Sequence, residues 1–262
     1  MKKAASFALG CKVNQYESEA IAELFAEKGY EIVGIDEEAD VYVINTCTVT
    51  NFGDKKSRQL IRKVKRQNEN AIVAVVGCYA QTAPKELMEI AGVNLVIGTK
   101  DRAQIVEMVE QYDRANGVEN HVSDIMKERV FEPLSIQKLA NRTRAYLKIQ
   151  DGCSQYCSYC IIPYARGPIR SREPQEVVAE VKRLAENGFK EVVLTGIHVA
   201  SYGKDRRDTS LLDILKQVHE VEGIERIRFS SIEPNVVTEE FAQTMAALPK
   251  VCDHFHLSLQ SG

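Results

Sequence analysis

The sequence predicts an α/β fold in two parts: an amino-terminal open parallel α/β domain, then the first half of a βα barrel. Three observations lead there. β-Branched apolar runs alternate with helical patterns along the chain, as a parallel sheet covered by helices requires. The run Ala71 to Val76 is apolar without interruption, the pattern of a strand buried on both faces. From Ala145 onward the strand-helix unit recurs at roughly 30 to 45 residues, the spacing of a βα barrel.

In the first part, Ala5 to Leu9 and Val41 to Asn45 read as short strands, and Leu95 to Ile97 as a further one. Between them, Ile21, Leu24 and Phe25 share a helical face that Gly29 stops. Ser57 to Gln67 and Pro84 to Ile90 also read as helices. The stretch Gln111 to Leu139 is polar, weakly periodic and contains Pro133. It separates a domain over 1–125 from one over 142–262, with 126–141 as linker.

The second part opens with a strand over Ala145 to Ile149, followed by a helix on Val177, Val181 and Leu184 that Gly188 ends. A strand at Val192 to Leu194, a helix on Leu211, Leu215 and Val218, and a strand at Ile227 to Ser230 follow. Phe241, Met245 and Leu248 lie on a helix whose N-cap is Thr238, with Glu239 and Glu240 in its first turn. Phe255 to Leu259 is the expected fourth strand. Four units do not close an eight-unit barrel of about 250 residues, so the sequence reads as a fragment of a longer protein.

With 262 residues, 44% hydrophobic and 27% charged, the composition is that of a soluble globular protein. No apolar run approaches the roughly 18 residues of a membrane span. The start Met1 to Gly10 reads as a first strand of a cytoplasmic protein, not as a signal peptide. A net charge of −3 gives no global nucleic-acid signature, so RNA contact would need a local patch. Seven cysteines in such a chain point to metal or redox chemistry and away from a disulfide framework.

The sequence Asp151-Gly152-Cys153-Ser154-Gln155-Tyr156-Cys157-Ser158-Tyr159-Cys160 follows directly on a strand. Its short spacings let three thiolates from one loop converge on an iron–sulfur cubane, which has four irons to ligate. The open iron would accept a ligand chelating through an amine and a carboxylate. A structural zinc site would need a fourth ligand, and no second Cys pair or His pair follows nearby. Cys11, Cys47 and Cys78 are dispersed over the first part, each at or within two residues of an expected strand end. Ligands of parallel sheets collect outside the carboxyl ends of strands, so these three can meet at one site. Cys252 reads as an ordinary buried or supporting residue, and His254 and His256 alternate on the fourth strand with at least one facing the barrel mouth.

These segments resemble the radical SAM methylthiotransferase family. Ala145 to Arg172, including Ile161-Ile162-Pro163-Tyr164-Ala165-Arg166-Gly167 and Ser171-Arg172, is similar to its radical SAM region. Leu9-Gly10-Cys11-Lys12-Val13-Asn14, Ile44-Asn45-Thr46-Cys47-Thr48 and Val76-Gly77-Cys78 resemble the three cysteine segments of its amino-terminal domain. The resemblance implies a radical SAM barrel and two 4Fe-4S clusters. Cys153, Cys157 and Cys160 would hold the cluster that binds S-adenosylmethionine, and Cys11, Cys47 and Cys78 an auxiliary cluster for sulfur insertion. It also implies an electron donor such as flavodoxin or ferredoxin, and no catalytic side chain beyond the cluster ligands. The run Gly10 to Ser18, with Thr46-Cys47-Thr48-Val49-Thr50, is most similar to the branch acting on threonylcarbamoyladenosine in tRNA. Branches acting on isopentenyladenosine or on a ribosomal-protein aspartate are the alternatives, and an iron–sulfur electron-transfer protein or a zinc-binding RNA module those of another class.

Around such a cofactor, the family's flanking aromatic falls on Tyr159. Strand-end placement adds Gly196, Ser231, Glu233 and Gln260, together with Ser230. Arg166 and Arg172 would meet the cofactor carboxylate or an RNA phosphate, or sit in solvated salt bridges. From Lys55 to Arg66, seven of twelve residues are basic, and Lys56, Arg58, Arg62, Lys63 and Arg66 are the expected tRNA contacts. A solvated helix face is the competing reading of that patch. The chain is expected to act as a monomer.

Overall fold

The computed structural model describes residues 1–48, 51–136 and 144–260. Val49, Thr50 and residues 137–141 of the expected linker lie outside the described residues. Two compact units are present: Met1–Glu128 with Glu132–Ile136 and Gln155–Gly167, and Arg129–Phe131 with Gln137–Ser154 and Pro168–Gly262.

The first unit is built on strands β1 (Lys3–Ala8), β2 (Glu31–Ile32), β3 (Val41–Thr46), β4 (Ile72–Gly77), β5 (Leu95–Ile97) and β6 (Glu119–Asn120). They form one parallel sheet in the order β2-β1-β3-β4-β5-β6. Helices α1 (Lys12–Glu27), α2 (Asn51–Gln67), α3 (Cys78–Thr82), α4 (Pro84–Met88) and α5 (Ile105–Gln111) connect them. The continuous apolar runs of β3 and β4 are explained by cover on both faces. Ile44, Val73 and Val75 pack with Ile61, Val64 and Tyr79 in one cluster. Val43, Ala74 and Val76 pack with Ile21, Phe25 and Ile105 in the other. Each such fully buried aliphatic side chain stabilises the fold by roughly 1.5–3 kcal/mol. The two edge strands are only two residues long, which limits the unpaired backbone they present. Leu134 and Ile136, in the stretch read as polar, are buried.

The second unit carries β7 (Arg144–Asp151), β8 (Arg170–Ser171), β9 (Glu191–Gly196) and β10 (Arg226–Phe229) in the order β10-β9-β7-β8. Helix α6 (Ile162–Arg166) belongs to the first unit; α7 (Pro174–Glu186), α8 (Leu211–His219) and α9 (Glu239–Ala247) belong to the second. β7, β9 and β10 are parallel, while β8 runs antiparallel to β7. The α9 cap is as the sequence implies: Thr238 Oγ1 accepts from the Phe241 N–H at 3.2 Å.

The expected fourth strand is corrected. Among the described residues, Phe255 to Leu259 forms no ladder; the region makes isolated parallel bridges, Ile227 to Val251 and Ile232 to Leu257. The physical reason is a tight turn, in which the His254 N–H donates to Cys252 O at 2.7 Å and interrupts the extended backbone. No helix among the described residues is long and apolar enough to cross a membrane.

Candidate functional site

Three adjacent parallel strands carry the dispersed cysteines. Cys11 is the N-cap of α1 just beyond β1, Cys47 follows β3 directly, and Cys78 opens α3 directly after β4. Gly10 and Gly77 turn the chain at φ +103° and +97°, angles that side chains rarely adopt. A Cβ on Gly10 would stand 2.6 Å from the Cys47 Cβ and 2.7 Å from its sulfur. Cys47 is thus packed on the backbone beside Cys11.

A polar core lies beneath these thiols. Arg166, fully buried, donates from Nε to the Cys78 sulfur at 3.1 Å, from Nη2 to Asn14 Oδ1 at 2.6 Å and from Nη1 to Glu17 Oε1 at 2.6 Å. Asn14 Oδ1 also accepts from the Cys11 thiol at 3.6 Å. Asn14 Nδ2 donates to Leu9 O at 2.8 Å and Thr46 O at 3.0 Å, clamping the chain just before Cys11 and Cys47. Glu17 is buried and also pairs with Arg102 at 2.6 Å, which in turn meets Glu132 at 2.6 Å. Burial pushes the Cys78 thiol up, and the Arg166 guanidinium pulls it back toward ionisation. The protein packed behind the exposed Cys11 raises its thiol likewise, again opposed by Arg166. The structure therefore brings together three backbones and their shared partners. Among the described residues, no three His, Cys, Asp or Glu side chains are already closed into a metal-holding group.

The second thiol set lies on the loop after β7. Its exit is fixed by a buried polar knot: Lys148 Nζ pairs with Asp151 at 2.9 Å, and Asp151 Oδ1 accepts from the Gly152 N–H at 2.8 Å. Gln150 Nε2 donates to the carbonyls of Asp151 and Gly152, both at 2.7 Å. Cys153, Cys157 and Cys160 are half-buried, and none is in a disulfide. The Cys160 N–H donates to Cys157 O at 2.9 Å, a turn that sets the last two thiols on one bend. The chain passes from one compact unit to the other inside this loop, between Ser154 and Gln155.

Gly196, Ser231 and Glu233 follow strand ends of the second unit, whereas Gln260 follows the run that forms no ladder and Tyr159 is 74% exposed on the loop. Gly196 closes β9 so near Gln150 that a Cβ there would stand 2.7 Å from Gln150 Oε1. That same oxygen accepts from the His198 N–H at 2.8 Å. Ser231 Oγ lies 2.6 Å from His256 Nδ1, and Glu233 lies 3.4 Å from His198 Nε2. Burial lowers the His198 pKa, with Glu233 working against it. Gln260 is exposed with φ +69°. His198 was not anticipated, although its place two residues after Gly196 is a strand-end signal of the same kind.

Arg166 and Arg172 are corrected. Neither is solvated: Arg166 is held as above, and Arg172 is buried against Glu180 at 2.5 Å. Asn14 and Glu17 were also missed, although their signal is visible as polar residues on the face of α1 that carries Ile21 and Phe25. On α2, Lys56, Arg58, Arg62, Lys63 and Arg66 are all exposed. Arg58 pairs with Glu86 and Tyr79, both at 2.7 Å, and Lys63 pairs with Asp36. Arg58 and Arg62 share a surface recess with Glu86 and Glu89.

Residues 147–262 match the radical SAM superfamily, and residues 3–98 match the family described as uncharacterized protein family UPF0004. The fold and the two thiol sets thus define a radical SAM protein with a cysteine-bearing α/β domain ahead of it. Over its whole length the chain is 50% identical to threonylcarbamoyladenosine tRNA methylthiotransferase MtaB of Bacillus subtilis, spanning 58% of that protein. It is 35% identical, over 97% of the chain and 58% of the relative, to tRNA-2-methylthio-N(6)-dimethylallyladenosine synthase of Dictyoglomus thermophilum. The chain spans 58% of the length of each of these two relatives, and its matched regions and relatives are those of radical SAM methylthiotransferases. In fold it is similar to the radical S-adenosylmethionine methyltransferase TsrM of Kitasatospora setae, with TM-score 0.61, 17% identity, and cover of 95% of this chain and 58% of that one.

Proposed function

We propose that the chain takes part in adding a methylthio group to carbon 2 of threonylcarbamoyladenosine in tRNA. The observation that carries this reading is the thiol set Cys11, Cys47 and Cys78, placed by three neighbouring strand ends over one shared guanidinium. A lone Cys-x3-Cys-x2-Cys loop would serve many radical reactions; a second set of three thiols in the same chain fits sulfur insertion. The donor chemistry fits two 4Fe-4S clusters, since thiolates are their usual ligands and neither set is spent in disulfides. When bound, the clusters and S-adenosylmethionine supply radical generation and methylated sulfur.

The chain's own residues do the rest. Cys153, Cys157 and Cys160 ligate from a loop whose exit the Lys148–Asp151 knot fixes. Tyr159, Gly196, Ser231, Glu233 and Gln260 border the S-adenosylmethionine site, Gly196 through a backbone that carries no side chain of its own. Lys56, Arg58, Arg62, Lys63 and Arg66 face tRNA phosphate, with Arg58 and Lys63 exchanging their carboxylate partners for it. The domain limits we propose are 1–125 and 142–262, joined by 126–141. A flavodoxin or ferredoxin as electron donor, a monomeric state and a cytoplasmic location complete the reading. The threonylcarbamoyl branch is preferred because the relative bearing that name is 50% identical, against 35% for the dimethylallyl enzyme.

Iron and sulfide analysis after anaerobic reconstitution tests the cofactors. About eight irons per chain are expected, falling to about four when Cys153, Cys157 and Cys160 become Ala. Zinc without iron would refute the reading. Nucleoside mass spectrometry of tRNA from a strain lacking the gene should show loss of the methylthio group from threonylcarbamoyladenosine; an unchanged nucleoside profile would refute the substrate.

A further inference from the structure

Arg166 stands out because its contacts reach 149 and 152 positions back along the chain, to Glu17 and Asn14, and 88 positions back, to Cys78. It is fully buried, so no RNA phosphate or solvent anion reaches it. Its three nitrogens are divided among three jobs. Nη1 and Nη2 meet the Glu17 carboxylate, which neutralises the charge inside the unit. Nη2 also fixes Asn14, whose amide clamps the carbonyls of Leu9 and Thr46. Nε is left for the sulfur of Cys78, at 3.1 Å. One side chain thus touches the setting of all three thiols: Cys78 directly, and Cys11 and Cys47 through Asn14.

Resting on the assignment of these thiols proposed above, we infer that Arg166 is a positioning residue of the auxiliary site. It sets the three thiol backbones and makes the iron–sulfur group they hold easier to reduce. A hydrogen bond donated to a ligand sulfur draws electron density from it, and such bonds are among the determinants of iron–sulfur reduction potentials. In the reduction itself one electron from an outside reductant enters the group, and no atom leaves. Lys in place of Arg keeps a cation beside Glu17. It cannot hold Glu17, Asn14 and Cys78 at once, because its donors converge on one nitrogen where Arg spreads them along a planar fork.

The test uses the full chain with Cys153, Cys157 and Cys160 changed to Ala, so that only the auxiliary site is read. Redox titration followed by electron paramagnetic resonance is compared for this chain, Arg166→Lys and Arg166→Gln. At the potential where the parent site is half reduced, each Arg166 variant is expected to show about a tenfold lower ratio of reduced to oxidised sites. That is a downward shift of about 59 mV for a one-electron couple. An unshifted potential in a variant that holds its four irons overturns the inference. If Arg166→Gln fails to fold, Arg166→Lys decides alone, and a folded Arg166→Lys chain without iron also overturns the tuning role, because Arg166 would then serve assembly only. Absence of iron from the parent with Arg166 intact is a different failure, which sinks the assignment of the thiols.

Discussion

Replacing Glu17 with Gln tests whether the buried ion network holds the first unit together. Glu17 is fully buried and faces two guanidiniums, Arg102 and Arg166, each at 2.6 Å. Gln keeps the volume and removes the charge. Removing one partner of a buried pair costs about 3–5 kcal/mol, because the other charge stays desolvated. Arg102 keeps Glu132 at 2.6 Å, and Arg166 keeps its hydrogen bonds to Asn14 and Cys78. The lower end, about 3 kcal/mol, is therefore expected. With a urea dependence of about 2 kcal/mol/M, the midpoint falls by about 1.5 M at unchanged slope. Melting should drop by about 10 °C. Urea titration followed by far-UV circular dichroism reads the change. The control is Glu86→Gln, which loses an exposed pair with Arg58 and should cost less than about 1 kcal/mol. A Glu17→Gln chain no less stable than that control would refute the reasoning.

Gly10→Ala should cost about 1–3 kcal/mol for its backbone angle and displace Cys47, whose sulfur stands 2.7 Å from the added methyl. Iron held by the auxiliary site should fall, whereas Gly117→Ala, at φ +72° with open space around it, should keep its iron. Burial holds the His198 pKa below its ordinary value, so the folded state prefers the neutral ring. As pH falls below about 6.5 the unfolded chain takes up a proton that the folded chain resists, and stability is lost until the folded pKa is passed. Unfolding midpoints between pH about 7.5 and 5.5 should decline less in His198→Gln and more steeply in Glu233→Gln. Arg62→Glu with Arg66→Glu should weaken tRNA binding and flatten its salt dependence by about two phosphate contacts; an unchanged slope removes α2 from the RNA surface.

Much of the fold was legible because it rests on local pattern. β4 announced itself through a run of apolar residues that only two-sided cover explains, and the cap of α9 through Thr238 followed by two glutamates. The dispersed cysteines were legible for a topological reason: adjacent parallel strands end at one edge. Three things were not. β2 and β6 are two residues long, too short to show a period. The extended run Phe255 to Leu259 has the composition of a strand, yet a turn at Cys252 to His254 breaks its pairing. The role of Arg166 was hidden because its partners are set by tertiary folding across 149 positions, which no spacing rule records.

The length of that reach bears on how the protein is made. Cys78 leaves the ribosome 88 residues before Arg166. At about 5–20 residues per second, the interval is about 4 to 18 s. During it strands β1, β3 and β4, which lead to the thiols, are available to pair, and Glu17 gains Arg102 once that residue is made, but the polar core beneath the thiols lacks its final guanidinium. The nascent site is therefore a set of three strand ends whose polar core is still incomplete. Any iron or oxidant that arrives in that window meets thiols whose geometry has not yet been fixed.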